Sequence, residues 1–138
     1  MKISARIQSS YNEHHITLDT NGNAQALAIA PKSNGFGSSV NGGELLFLAL
    51  ATCYCNDLYR EAAKRGIRVE GVEVEVEGEF GVEGERAKNV TYRAKVIAAA
   101  SEEAVRDLMQ HADTVAEIQN TLRAGISVTL NEVEVVSV

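Results

Sequence analysis

Apolar and polar positions alternate through Ile3-Ser4-Ala5-Arg6-Ile7, again from His14 to Leu18, and again from Ala24 to Ala30, where Pro31 ends the run. This periodicity predicts three short strands. Asn21-Gly22-Asn23 separates the last two and is a strong hairpin turn signal, so an antiparallel meander is expected. Lys32 to Gly43 is rich in glycine and small polar residues without periodicity and reads as an irregular surface loop.

The loop feeds a helix. Glu44 suits the positive end of a helix dipole, and Leu45 to Cys55 is apolar around the whole circumference, with no breaker. From Asn56 the pattern becomes amphipathic through Arg60, Glu61, Lys64 and Arg65, and Gly66 is a natural C-cap. A helix from Glu44 to Arg65 would be about 33 Å long at ~1.5 Å per residue. A single small domain can hardly enclose its apolar first half, so a partner subunit is expected.

Val72-Glu73-Val74-Glu75-Val76-Glu77 has period two, with valines on one face and carboxylates on the other. Val90 to Ile97 places Val90, Tyr92, Ala94 and Val96 together, opposite Thr91, Arg93 and Lys95. Pairing through the turn around Gly81 to Gly84 would set Arg93 and Lys95 among the glutamates, making a solvated, charge-paired face rather than an acidic binding site. Ser101-Glu102-Glu103 opens a second helix that carries Val105, Leu108, Met109 and Ala112 inward. Asp113 is placed to cap a short third helix ending near Gly125, and a last strand is expected from Ile126 to Leu130, continuing to Val136. Strands interrupted by helices without regular βαβ alternation indicate an α+β fold.

At 138 residues, with 45% apolar and 23% charged residues, the chain has the composition of one ordinary globular domain spanning 1–138. Its net charge of −6, spread along the chain, disfavours nucleic acid and anionic membranes as partners. Neither a leader pattern at Met1-Lys2-Ile3-Ser4-Ala5-Arg6 nor a membrane-spanning run is present in the pattern, so neither export nor insertion is expected. Two cysteines so close together do not resemble a secreted disulfide framework, and the cytoplasm is the expected location.

Chemistry concentrates on Cys53 and Cys55. Cysteine in an apolar helix is commonly a small core residue. Two positions apart on a helix, the two side chains point to nearly opposite sides and cannot form a disulfide without unwinding it. Cys53 shares a face with Asp57, whose carboxylate would raise a thiol pKa, so activation requires a cation from elsewhere. Arg6 and Arg123 are the arginines considered for that role. His14-His15 and the lone His111 lack metal-site spacing, and neither a metal nor another cofactor is expected. The Gly35 to Gly43 loop lacks the lysine and spacing of a phosphate loop and reads as a plain connector.

The run Gly-Gly-Glu-Leu-Leu-Phe-Leu-Ala-Leu-Ala-Thr-Cys-Tyr, the helix end Lys-Arg-Gly-Ile and the strand Val-Glu-Gly-Val-Glu-Val-Glu-Val resemble the central helix and following strand of OsmC/Ohr proteins. The order of predicted elements is similar to that fold over essentially the whole chain. The resemblance implies antiparallel sheets around a long buried central helix, in an intertwined homodimer with a site at the interface. Characterised members are thiol peroxidases acting on organic hydroperoxides, with a peroxidatic cysteine on the central helix, a resolving cysteine on a later helix, and an arginine and a glutamate that organise the thiolate.

By this resemblance Cys53 corresponds to the peroxidatic position, with a small apolar hydroperoxide as substrate and a thiol as reductant. Ala116 and Glu117 stand where the resolving Cys-Pro would be, and there is no third cysteine. The arginine position falls in Ser9-Ser10-Tyr11-Asn12, nearest Tyr11. Glu44 lies one residue closer to Cys53 than the glutamate of the peroxidases, which would correspond to Gly43; it is either a site residue or a helix-start residue. Cys53 and Glu44 are therefore the catalytic candidates, with Cys55, Tyr11, Arg6 and Asp57 as accessory ones. The alternative is a small-molecule-binding or redox-sensing dimer without peroxidase chemistry.

Overall fold

In the computed structural model, which describes residues 1–138, asparagines in left-handed backbone turn the first strands back on one another. Strand β1 (Ile3–Ser10) pairs antiparallel with β2 (Glu13–Thr20), and β2 with β3 (Asn23–Leu27), leaving β2 central. The turns leave Tyr11-Asn12 and Asn21-Gly22 unpaired, with φ of 56° at Asn12, 53° at Asn21 and 86° at Gly22. Residues tolerant of positive φ are what tight hairpins require. The meander is as expected; β1 and β2 run longer than the alternation indicated, and β3 stops at Leu27 rather than Ala30.

The chain packs as two compact units, Met1–Leu46 and Phe47–Val138. In the first, Ile16 is the buried apolar residue. Its loop is more ordered than its composition implied. Asn12 N–H donates to the Gly35 carbonyl at 2.7 Å, the Tyr11 and Phe36 rings lie 5.2 Å apart, and Phe36 N–H donates to Asn34 Oδ1 at 3.0 Å. Gly35, at φ 88°, is required there because a Cβ would meet the Tyr11 ring at 2.5 Å.

Helix α1 (Gly42–Lys64) begins two residues before Glu44 because Asn41 and Glu44 cap it reciprocally. Asn41 N–H donates to Glu44 Oε1 at 3.0 Å, and Glu44 N–H donates to Asn41 Oδ1 at 2.8 Å. This is a capping box with asparagine in the cap position. Asn41→Ala is expected to lower stability by about 1 kcal/mol, read from the urea midpoint at unchanged slope. At the other end Gly66, with φ 65°, lets Ile67 N–H reach the Ala62 carbonyl at 2.9 Å.

In the second unit the buried stripe of α1 is Leu50, Tyr54, Asp57, Leu58, Glu61 and Ala62, repeating at helical spacing. Expected all-round burial of the first half is not met within one chain, where Leu48 is 60% exposed. Strands β4 (Arg68–Glu79) and β5 (Lys88–Ala99) form an antiparallel pair in the register the alternation implied, with Glu73 opposite Lys95 and Glu75 opposite Arg93. The Arg93–Glu75 ion pair is 2.8 Å long and exposed, so it contributes only about 0.2–1 kcal/mol. The other face packs Val72, Val74, Tyr92, Ala94 and Val96 on Tyr54, Leu58 and Leu108.

Helix α2 (Glu102–Thr114) is capped as expected, the Ser101 hydroxyl accepting from Ala104 N–H at 3.2 Å, and it buries Leu108 and Ala112. Asp113, expected to cap the third helix, does not. Helix α3 (Glu117–Ala124) has Ala116 in that position, and Asp113 instead accepts from the Tyr92 hydroxyl and from Arg123 Nη2 at 2.6 Å. Two strong donors outcompete a backbone N–H for the carboxylate. The expected strand after Ile126 is also not formed. Ile126 to Val138 has no ladder partner, and Val128 is 92% exposed. Both sheets leave edge strands open, and this run pairs with none of them within the chain. The architecture is α+β with antiparallel sheets, and no helix is long and apolar enough to cross a membrane.

Candidate functional site

Cys53 sits on α1 one turn beyond Leu50 and directly before Tyr54, which anchors this part of the helix. The Tyr54 ring meets Tyr92 edge-on at 4.9 Å, and its hydroxyl donates to the Met109 carbonyl at 2.8 Å. Burial, followed by the Asp113 charge, pushes the Tyr54 pKa up to about 12, so the phenol stays a donor throughout the physiological range. Gln119 on α3 is buried and donates through Nε2 to the Leu50 carbonyl at 3.0 Å. These contacts bring the N-terminal end of α3 against the Cys53 turn.

The partly buried Cys53 thiol faces two carboxylates. Its Sγ is 3.7 Å from Asp57 Oδ2 on its own helix and 3.7 Å from Glu117 Oε2 on α3. Arg60 Nη1 lies 2.9 Å from Asp57 Oδ1 and 3.5 Å from Glu117 Oε1. Burial raises the thiol pKa most, the Ile118 backbone N–H at the start of α3 draws it down, and the Asp57 and Glu117 charges raise it further. Asp57 is itself raised, by burial and then by Glu117, against the pull of Arg60. Glu117 is lowered, first by its own backbone N–H. The ligating atoms of Cys53, Asp57 and Glu117 fall within 4.8 Å of one another. Arg60 already supplies the positive charge such a group would take from a cation.

Next to this cluster Glu61 is buried, with Lys64 Nζ at 2.8 Å and His111 Nε2 at 3.2 Å. Its carboxyl lies below the usual range, chiefly through the Lys64 hydrogen bond.

Among the residues singled out from sequence, Cys53 and Asp57 come together as the helical spacing required. Cys55 is a free, partly buried thiol, and no disulfide links it to Cys53. Glu44 has its carboxylate on the Asn41 N–H, the helix-start arrangement that the sequence left open. Tyr11 packs on Phe36 in the β1–β2 turn. Arg6 lies on β1 opposite Thr17, exposed and without an ion pair. Arg123 is taken by Asp113. Sequence reasoning did not single out Arg60 as the nearby cation, although its spacing from Asp57 places it one turn along the same helix. It noticed Glu117 as the occupant of the resolving position without assigning it a contact.

A family model described as OsmC-like protein matches residues 35–131, most of the chain. Solved structures share the fold at low identity. An OsmC-like protein from Mycoplasma pneumoniae is 19% identical, with 87% of each chain covered and a TM-score of 0.58. An OsmC-like protein of unknown function from Vibrio cholerae is 15% identical over 88% of this chain and 93% of that one, with a TM-score of 0.60. An organic hydroperoxide resistance protein from Legionella pneumophila is 20% identical over 89% and 90%, with a TM-score of 0.53. The curated proteins offer no match. With the matched region running from the loop before α1 to beyond α3, the chain belongs to the OsmC-like family.

Proposed function

We propose that this chain is a homodimeric, cytoplasmic thiol peroxidase that reduces small organic hydroperoxides, with Cys53 as the nucleophile. The observation that carries this reading is the placement of the Cys53 sulfur, partly exposed on the apolar helix α1 and set against the first turn of α3, where Glu117 lies 3.7 Å away. A helix N-terminus stabilises a thiolate, the form that attacks peroxide. The name of the Legionella neighbour supports the substrate class.

In the reaction the Cys53 thiol loses its proton to solvent, and the thiolate attacks the outer oxygen of the hydroperoxide. The O–O bond breaks, sulfur is oxidised to sulfenic acid, and the departing alkoxide takes a proton from solvent to leave as an alcohol. A small thiol then condenses with the sulfenic acid, releasing water and leaving a mixed disulfide. A second thiol attacks that disulfide, returning Cys53 and carrying away the oxidised reductant. Cys55, on the other side of the helix, takes no part.

Dimerisation is supported by the apolar surface one chain leaves open, including Leu48 on α1 at 60% exposure and Val133, Val135 and Val136 at 74–81%. A second reading, a binding or redox-sensing dimer, is favoured by the raised Cys53 pKa. One equivalent of cumene hydroperoxide added to the reduced protein should consume one thiol and add one oxygen to Cys53, seen by peptide mass spectrometry. With excess small thiol, turnover should follow. No peroxide loss would remove the enzyme and leave the second reading. Sedimentation giving a monomer at micromolar concentration would remove the dimer.

A further inference from the structure

Each carboxylate beside Cys53 is shared between the sulfur and one guanidinium. Asp57 presents Oδ2 to Sγ at 3.7 Å and Oδ1 to Arg60 Nη1 at 2.9 Å. Glu117 presents Oε2 to Sγ at 3.7 Å and Oε1 to the same nitrogen at 3.5 Å. Asp57 is buried and fixed by its place on α1, whereas the Glu117 side chain is 66% exposed and comes from α3. Removing the Glu117 charge therefore opens no cavity.

From this geometry we propose that Glu117 is a positioning residue that restrains the Cys53 thiol, that Arg60 is its counterweight, and that the balance of the two sets the reactivity of Cys53. A carboxylate oxygen near the sulfur opposes ionisation of the thiol, and the same carboxylate draws the guanidinium to its far side. Taking away Glu117 removes a repelling charge and leaves Arg60 paired with Asp57 and, through Nε at 3.9 Å, with Glu61. Taking away Arg60 leaves two carboxylates facing the sulfur without compensation.

Other charged groups are engaged elsewhere. On α2, His111 faces Glu61, and Asp113 faces Tyr92 and Arg123. Lys64 faces Glu61 on α1, and Arg93 faces Glu75 on the exposed side of the sheet. Beyond burial, Asp57 and Glu117 are thus the charges beside the thiol, and Arg60 acts on it through its pairing with both carboxylates. The assignment rests on the reading of Cys53 as the reactive thiol, but its test does not need peroxide.

The experiment is the pH dependence of Cys53 alkylation by iodoacetamide in the full chain carrying Cys55→Ser. Glu117→Gln should lower the midpoint by about one pH unit. Because a more acidic thiolate is also a weaker nucleophile, that shift should speed alkylation at neutral pH only about threefold. Arg60→Gln should move the midpoint up and slow alkylation by a similar factor. Glu117→Asp should recover much of the wild-type profile. A Glu117→Gln midpoint equal to wild type, or both substitutions moving it the same way, would overturn the assignment. Hydroperoxide consumption measured on the same samples separates the two readings. Shifted midpoints without consumption sink the peroxidase and keep the restraint, while consumption with unmoved midpoints sinks the restraint alone.

Discussion

Cys53→Ser is expected to reduce hydroperoxide consumption to the uncatalysed background, while Cys55→Ser leaves it within a factor of two or so of wild type. The contrast follows from the helix. Two residues apart, the side chains point to nearly opposite sides of α1, and the Asp57 and Glu117 carboxylates stand on the side of Cys53. A serine hydroxyl is not an appreciable nucleophile towards peroxide oxygen at neutral pH, so substitution removes the reacting atom and not merely a contact. Peroxide loss under excess thiol is the measurement, and equal loss in both variants would sink the assignment of Cys53. The pH dependence carries a sign. Burial and the neighbouring carboxylates raise the thiol pKa, so the thiolate is the minor species at neutral pH and its fraction grows about tenfold per pH unit. Oxidation of wild-type Cys53 should rise with pH and level off only above the ordinary thiol range. A plateau near pH 6 would show an activated thiolate and contradict the electrostatics described above.

Leu58→Ala is expected to cost about 3–5 kcal/mol, among the largest losses of stability that a single truncation can cause in the second unit. Leu58 is fully buried in the cluster with Tyr54, Ala62, Leu108 and Ala112, against the valines and alanines of β4 and β5. Removal of its branched end leaves a void that neighbours on a helix and two strands cannot all move to fill. Since small domains are stable by only about 5–15 kcal/mol, such a loss should be plain in urea unfolding. Leu48→Ala is the control. At 60% exposure in the single chain, its truncation should barely change unfolding of an isolated subunit and should instead weaken dimerisation if that face is covered by a partner. A large Leu48 effect at unchanged oligomeric state would argue against a partner there.

Local signals were readable from sequence because they depend on residues close along the chain. Asn21-Gly22 marked a hairpin, the Val/Glu alternation marked β4, and Gly66 marked the end of α1. Ser101 marked the start of α2. Each is a case of backbone propensity and patterning agreeing with the fold. The family resemblance followed from such signals together with the cysteine position. What escaped was set by distant docking. Glu117 reaches Cys53 across 64 residues only because α3 returns to α1, with Gln119 holding the Leu50 carbonyl. Asp113 had the right residue type for a cap, yet Tyr92 and Arg123 take its carboxylate, and no sequence pattern ranks those competitors. The last strand failed for a related reason: alternation describes what a segment can do, whereas a strand forms only where the segment docks on a partner, and within the chain this run docks on neither sheet.

Tyr54 follows Cys53 immediately, yet the two side chains have separate duties: the ring is locked in the core while the sulfur remains on the rim. An oxygen atom added to that sulfur would enlarge a residue that the packed interior does not have to accommodate. In the proposed cycle the framework is therefore expected to survive repeated oxidation and reduction at this position, and wear should show as chemical over-oxidation of Cys53 before it shows as loss of folded protein.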